Sequence, residues 1–182
     1  MKKKLFIVLL LQSILYSEVN TCDTLAGNPF DKQLKTQGIS FKNIIAVKAI
    51  SVCLKELKEK PNDTQIMYQL GRAFDSNKNY TKTIFYYKKA CDKGYASACN
   101  SLGIKYYYGE GVNESDETAL KFYKKACNIK KNSSGCTNVA GMYQYGKGVK
   151  QSIDKAKEYY AIACKRGDKS SCKLLIELNT KP

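Results

Sequence analysis

Apolar positions recur along this chain with a helical period. Between 96 and 108, Cys99, Leu102, Gly103 and Tyr106 fall at i, i+3, i+4 and i+7, one stripe of a helix predicted over 96–108. Gly109-Glu110-Gly111 then stops it, because glycine accepts the left-handed backbone found at helix C-termini. Ser115 opens a second helix, a hydroxyl cap with Asp116 and Glu117 in the first turn. This helix is expected to bury Ala119, Phe122, Tyr123 and Ala126.

The two-helix pattern is repeated. Residues 84–91 (IFYYKKAC) align with 121–127 (KFYKKAC) and with 158–164 (EYYAIAC). Residues 99–112 match 136–149, including Gly109-x-Gly111-Val112 against Gly146-x-Gly148-Val149. A repeat of this length, with two helices in each unit, marks an α/α solenoid, whose units contact only their neighbours. The expected fold is all-α, a right-handed superhelix of about three and a half helix pairs. Small residues at Gly103, Ala119, Ala126, Ala140, Ala156 and Ala163 let helices approach closely, and tyrosines fill the spaces between units.

The cysteines follow the same repeat. Cys91/Cys99, Cys127/Cys136 and Cys164/Cys172 are spaced 8, 9 and 8 apart, and the first members of the pairs are 36 and 37 residues apart. In each pair, one cysteine ends a helix and the other lies a turn into the next, so a short turn brings them face to face. Gly94 lies in the first of these turns and Gly167 in the third. Eight cysteines allow 105 pairings; the repeat reduces these to three such bonds. Cys53 closes an earlier helix predicted over 44–59, and Pro61 stands where its in-phase partner would be, which leaves Cys22. A metal centre is disfavoured: no Cys-x-x-Cys occurs, and pairs spread along a solenoid cannot gather four thiolates. The chain has no histidine, which excludes Ser-His-Asp and Cys-His catalysis and His-bearing zinc sites, and no cofactor is expected.

Met1-Lys2-Lys3-Lys4 followed by the apolar stretch 5–16 reads as a targeting segment over 1–17, with an uncleaved anchor as the alternative. The full chain carries 31 Lys+Arg against 16 Asp+Glu, a net charge of +15. Removing 1–17 takes away three lysines and no acids, leaving 15 − 3 = +12. A secreted or periplasmic location follows, where paired cysteines persist. The scattered lysines either form a solvated basic surface or attract net-acidic partners. Nucleic acid is not expected outside the cytoplasm, nor is a membrane span after cleavage.

Leu102-Gly103-x-x-Tyr106-x-x-Gly109-x-Gly111-Val112, followed by Ala119 and Phe122-Tyr123-x-x-Ala126, resembles the Sel1-like branch of the tetratricopeptide superfamily. With one cysteine pair per unit and a targeting segment, the chain resembles the Helicobacter cysteine-rich protein family. The resemblance covers about 63–178. Residues 64–79 depart from it, with Ser76-Asn77-Lys78-Asn79 replacing the Gly-x-Gly loop. The implied organisation is a signal peptide over 1–17, an N-terminal cap over 18–60 held by Cys22–Cys53, and a repeat array over 61–180.

The resemblance implies a module that binds proteins or peptides. Members of the cysteine-rich family are also described as penicillin-binding proteins or weak β-lactamases, so a β-lactam or peptidoglycan-derived ligand is the alternative. The residues supply little for hydrolysis. Ser-x-x-Lys occurs at Ser152…Lys155 and Ser170…Lys173, but Ser-Asp-Asn and Lys-Thr-Gly are absent, so no catalytic residue is assigned. For binding, first helices of helical repeats line the concave side. The positions flanking the buried Leu70, Leu102 and Val139 are then expected to face a groove: Tyr68, Arg72, Asn100, Ile104, Tyr107, Thr137, Gly141 and Gln144. Their amide and aromatic groups suit an extended peptide.

Overall fold

Side-chain caps and glycine stops set the helix boundaries. Asp63 accepts from the backbone N–H groups of Gln65 (2.9 Å) and Ile66 (3.1 Å), starting a helix at Thr64. Ser115 and Ser152 do the same for Thr118 and Lys155, at 3.1 and 3.3 Å. At the other ends, Gly109 (φ 67°) and Gly146 (φ 66°) take the left-handed conformation that closes a helix. The computed structural model describes residues 21–28, 38, 40–129 and 132–180. The predicted targeting segment, 1–17, lies outside the described residues.

The described elements are α1 (Cys22–Ala26), a 3-10 turn at Phe41–Asn43, α2 (Ala46–Glu59), α3 (Thr64–Ser76), α4 (Tyr80–Asp92), α5 (Ala96–Tyr108), α6 (Asp116–Asn128), α7 (Ser134–Tyr145), α8 (Ile153–Lys165) and α9 (Lys169–Thr180). No strand occurs among the described residues. The helix predicted from Ile44 begins two residues later, because Ile44 is extended (φ −68°, ψ 119°) behind the 3-10 turn. The chain divides into two compact units, one up to Asn79 and the other from Tyr80.

In the first unit α1 packs against α2 and α3. Cys22–Cys53 joins α1 to α2, and Glu56 Oε1 accepts from the Cys22 backbone N–H at 2.8 Å. Asp23 Oδ1 accepts from the side chains of Gln65 (2.8 Å) and Gln69, both on α3.

In the second unit each helix packs on the next, from α4 to α9. Its core runs through Leu120, Tyr123, Val139, Ala140, Met142 and Tyr160, with Ala119, Ala156 and Ala163 at the close approaches. Leu120 is buried, while Phe122, expected in the core, is half-buried and stacks on Tyr106 with centroids 5.4 Å apart. Ala119, Tyr123 and Ala126 are buried as expected, so Leu120 joins the buried stripe and Phe122 lies at its edge. Three disulfides cross the turns between pairs: Cys91–Cys99 joins α4 to α5, Cys127–Cys136 joins α6 to α7, and Cys164–Cys172 joins α8 to α9, with Cα–Cα distances of 4.7, 4.5 and 4.7 Å. Each therefore staples the second helix of one pair to the first helix of the next. Gly94 (φ 87°) and Gly167 (φ 90°) make the first and third turns.

Candidate functional site

The site is built on two first helices, α5 and α7. Leu102 and Val139 point into the core, with 1% and 0% of their surface exposed. Beside that stripe, Ile104 and Tyr107 of α5 and Thr137 and Gly141 of α7 border one cavity of about 430 Å³. Second helices supply its floor: Tyr123 of α6 and Tyr160 of α8 both line it and are buried. Tyr108 and Tyr145, the last residues of α5 and α7, line its mouth and are largely exposed, at 65% and 70%. Lys147, from the Gly-x-Gly loop, brings a cation to the same wall. Its Nζ lies 3.8 Å from Asp116 Oδ2, a loose pairing on a half-exposed side chain.

Burial holds the floor phenols neutral. The Tyr123 hydroxyl is pushed well above the ordinary tyrosine range, chiefly by desolvation, with Tyr108, Tyr107 and Asp116 adding to it. Burial also raises Tyr160, with a smaller contribution from Tyr145. Tyr160 donates to Gln144 Oε1 at 2.8 Å. Asn138, another lining residue, donates from Nδ2 to Asn100 Oδ1 at 2.8 Å. Among the described residues there is no cluster of Cys, Asp or Glu able to hold a metal ion.

The predicted groove residues separate into three groups. Ile104, Tyr107, Thr137 and Gly141 come together in the cavity. Asn100 and Gln144 stand behind it, each hydrogen-bonded to a lining residue. Tyr68 and Arg72 do not face open space. They are 3% and 5% exposed, covered by residues 26–28: Arg72 Nη1 donates to the Ala26 carbonyl at 2.5 Å, and Asn28 Nδ2 donates to Tyr68 Oη at 3.0 Å. Residues 26–28 cover that face of α3. Tyr108, Tyr145 and Lys147 do not stand out as site residues in the sequence, because most tyrosines of the repeat read as packing and the Gly-x-Gly loop as helix termination. The available signal was the in-phase tyrosine immediately before each Gly-x-Gly.

The Ser-x-x-Lys serines lie elsewhere. Ser152 caps α8, and Lys155 Nζ lies over the Tyr143 ring, 5.3 Å from its centroid. Ser170 is exposed in the first turn of α9. Neither borders the cavity.

The family model for the Sel1 repeat matches residues 66–95, 96–129 and 133–168. No curated protein matches the sequence. Solved structures are similar in fold. A Sel1 repeat protein from Oxalobacter formigenes aligns with TM-score 0.61 and 24% identity, over 68% of this chain and 97% of its own. Helicobacter pylori cysteine rich protein B aligns with TM-score 0.59 and 27% identity, over 75% of this chain and 98% of its own. The uropathogenic Escherichia coli protective antigen c5321, which displays an SLR fold, aligns with TM-score 0.65 and 22% identity, over 91% of this chain but only 35% of the antigen.

Proposed function

The chain belongs to the Sel1 repeat family, and from that premise we propose that it is an exported, disulfide-stapled binding module that captures a peptide segment of a partner protein on α5 and α7. Sel1 repeats generally mediate protein interactions. The observation that carries the reading is the cavity of about 430 Å³ with five tyrosines in its wall. Tyrosine offers a large ring for contact and a hydroxyl for hydrogen bonding, and it loses little side-chain freedom when it binds.

Export is supported by the basic-then-apolar N-terminal sequence and by the chemistry of the cysteines. All eight are paired, an arrangement that persists in oxidising compartments. Among the described residues no helix is long and apolar enough to cross a membrane. The net charge, +15 for the full chain and +12 once 1–17 is removed, favours net-acidic partners. Hydrolysis of a β-lactam is not part of the proposal, since neither Ser-x-x-Lys serine borders the cavity.

The test is crosslinking of the oxidised protein in a native envelope fraction, with the captured partner identified and then rebound in purified form. Replacing Asn100, Tyr107 and Gln144 together by alanine should abolish rebinding while the helical circular dichroism spectrum is retained. Unchanged rebinding by that variant would remove this surface as the binding site.

A further inference from the structure

Gly141 stands in the middle of α7, where glycine weakens a helix relative to alanine. Two other glycines within helices are required by close packing. A Cβ on Gly103 would run into the Tyr123 ring, and one on Gly135 would stand 2.7 Å from Ala126 Cβ. A Cβ on Gly141 would meet nothing within 4 Å. Packing does not explain this glycine; the open space beside it is the cavity, which it helps to line.

The in-phase residues of α3 and α5 are Arg72 and Ile104, both large. On α3, in the other unit, a segment lies on the face that corresponds to this one in the repeat. Residues 26–28 are held there by Arg72, through the Ala26 carbonyl, and by Tyr68, through Asn28. On α7 the equivalent side chain is missing, and the wall around the gap includes Tyr107, Tyr108 and Tyr145, with Lys147 beside them.

We infer that the gap at Gly141 is an anchor subsite. It takes one large apolar or aromatic side chain of the bound peptide, while Lys147 pairs with an acidic residue next to that anchor. The inference rests on the peptide-capture reading of the same cavity and specifies its ligand. Tyrosine rings and Ile104 give the anchor dispersion and stacking contacts. Lys147 is held only loosely by Asp116 and is half exposed, so its ammonium can turn to a ligand carboxylate. The basic balance of the whole chain attracts the same kind of sequence.

The experiment selects short random peptides on the oxidised protein. It then titrates one enriched synthetic peptide against wild type, Gly141→Leu, Gly141→Ala and Lys147→Gln. Enriched peptides should share Phe, Tyr, Trp or Leu beside Asp or Glu. Gly141→Leu should bind about tenfold more weakly or worse, because its side chain fills the subsite. Gly141→Ala should show a smaller loss, with a Tm at or above that of wild type. Lys147→Gln should lose a few-fold in affinity, roughly what one exposed ion pair supplies, and show a flatter salt dependence.

Wild-type affinity in Gly141→Leu, or enriched peptides lacking the anchor and acid, would overturn the subsite. If Gly141→Leu does not fold, unchanged affinity in Gly141→Ala has the same force. Should the Asn100, Tyr107, Gln144 triple alanine variant lose binding while Gly141→Leu keeps it, peptide capture stands and the anchor subsite fails. If no peptide is enriched, both fail.

Discussion

At the residue scale, two helix glycines differ in what surrounds them. Gly103 and Gly141 each lie inside a first helix, where alanine is favoured over glycine by about 1 kcal/mol. Gly103→Ala would force a methyl group into the buried Tyr123 ring, and overpacking of this kind typically costs about 1–3 kcal/mol. It should destabilise the protein despite the gain in helix propensity. Gly141→Ala meets no atom and should stabilise by about 0.5–1 kcal/mol. Urea denaturation of the two variants beside wild type checks both signs. The buried phenols set an alkaline limit. Burial raises Tyr123, Tyr160 and Tyr86 above the ordinary tyrosine value. A folded-state pKa above the unfolded one means the unfolded chain gives up its proton first. Stability is therefore intact below about pH 10, the unfolded tyrosine value, and falls as pH rises beyond it. Absorbance titration should show late-ionising tyrosines that titrate together with the loss of helical signal, and Tyr123→Phe should move that loss to higher pH.

At the element scale the disulfides couple one helix pair to the next. Cys127–Cys136 closes a separation of 9 residues, worth ~2.5 kcal/mol in the chain-entropy account. Arg166, just beyond α8, reinforces the same junction by donating to the carbonyls of Cys127 (2.5 Å) and Asn132 (2.9 Å), near the C-terminal end of α6. A cation there also meets the negative end of the helix dipole. Replacing Cys127 and Cys136 together by serine should lower the denaturation midpoint by an amount equivalent to about 2–3 kcal/mol. A shift much smaller than that would show that helix packing alone holds the α6–α7 junction. Asp92 adds an exposed link between helices. Its carboxylate accepts from Lys125 of α6 and Lys88 of α4, both at 2.9 Å, and the two bonds lower its pKa. This contribution is present above the unfolded aspartate value and fades as pH falls through the lower folded one. Half exposure keeps it small.

At the scale of the whole molecule, charge decides how the chain meets a partner. With 31 basic against 16 acidic residues, capture of an acidic peptide should weaken steadily as salt rises and the Debye length shrinks from ~10 Å at 0.1 M. The association rate should fall more than the dissociation rate rises, which stopped-flow binding at several salt concentrations measures. A salt-independent affinity would leave the basic surface with a solubilising role alone.

The sequence by itself determined the helices, their repeat and the cysteine pairing. Ser115 and the Gly109-x-Gly111 loop act through backbone groups within a few residues, and Cys91 and Cys99 are joined by one short turn. Such local chemistry is readable from spacing. The sequence also placed Ile104, Tyr107, Thr137 and Gly141 on one face, because the repeat carries them in phase. It could not show that residues 26–28 fold back over Tyr68 and Arg72, a contact about 46 residues away along the chain and invisible to periodicity. Nor could it distinguish the tyrosines that fill the core from those that line a cavity, since Tyr107 and Tyr143 read alike until neighbouring helices are packed around them. The repeat puts Gly103 on the packed stripe and Gly141 beside it, but does not say what each meets. Only the tertiary structure places a ring against one and open space beside the other, because the space at a glycine belongs to its neighbours in the fold.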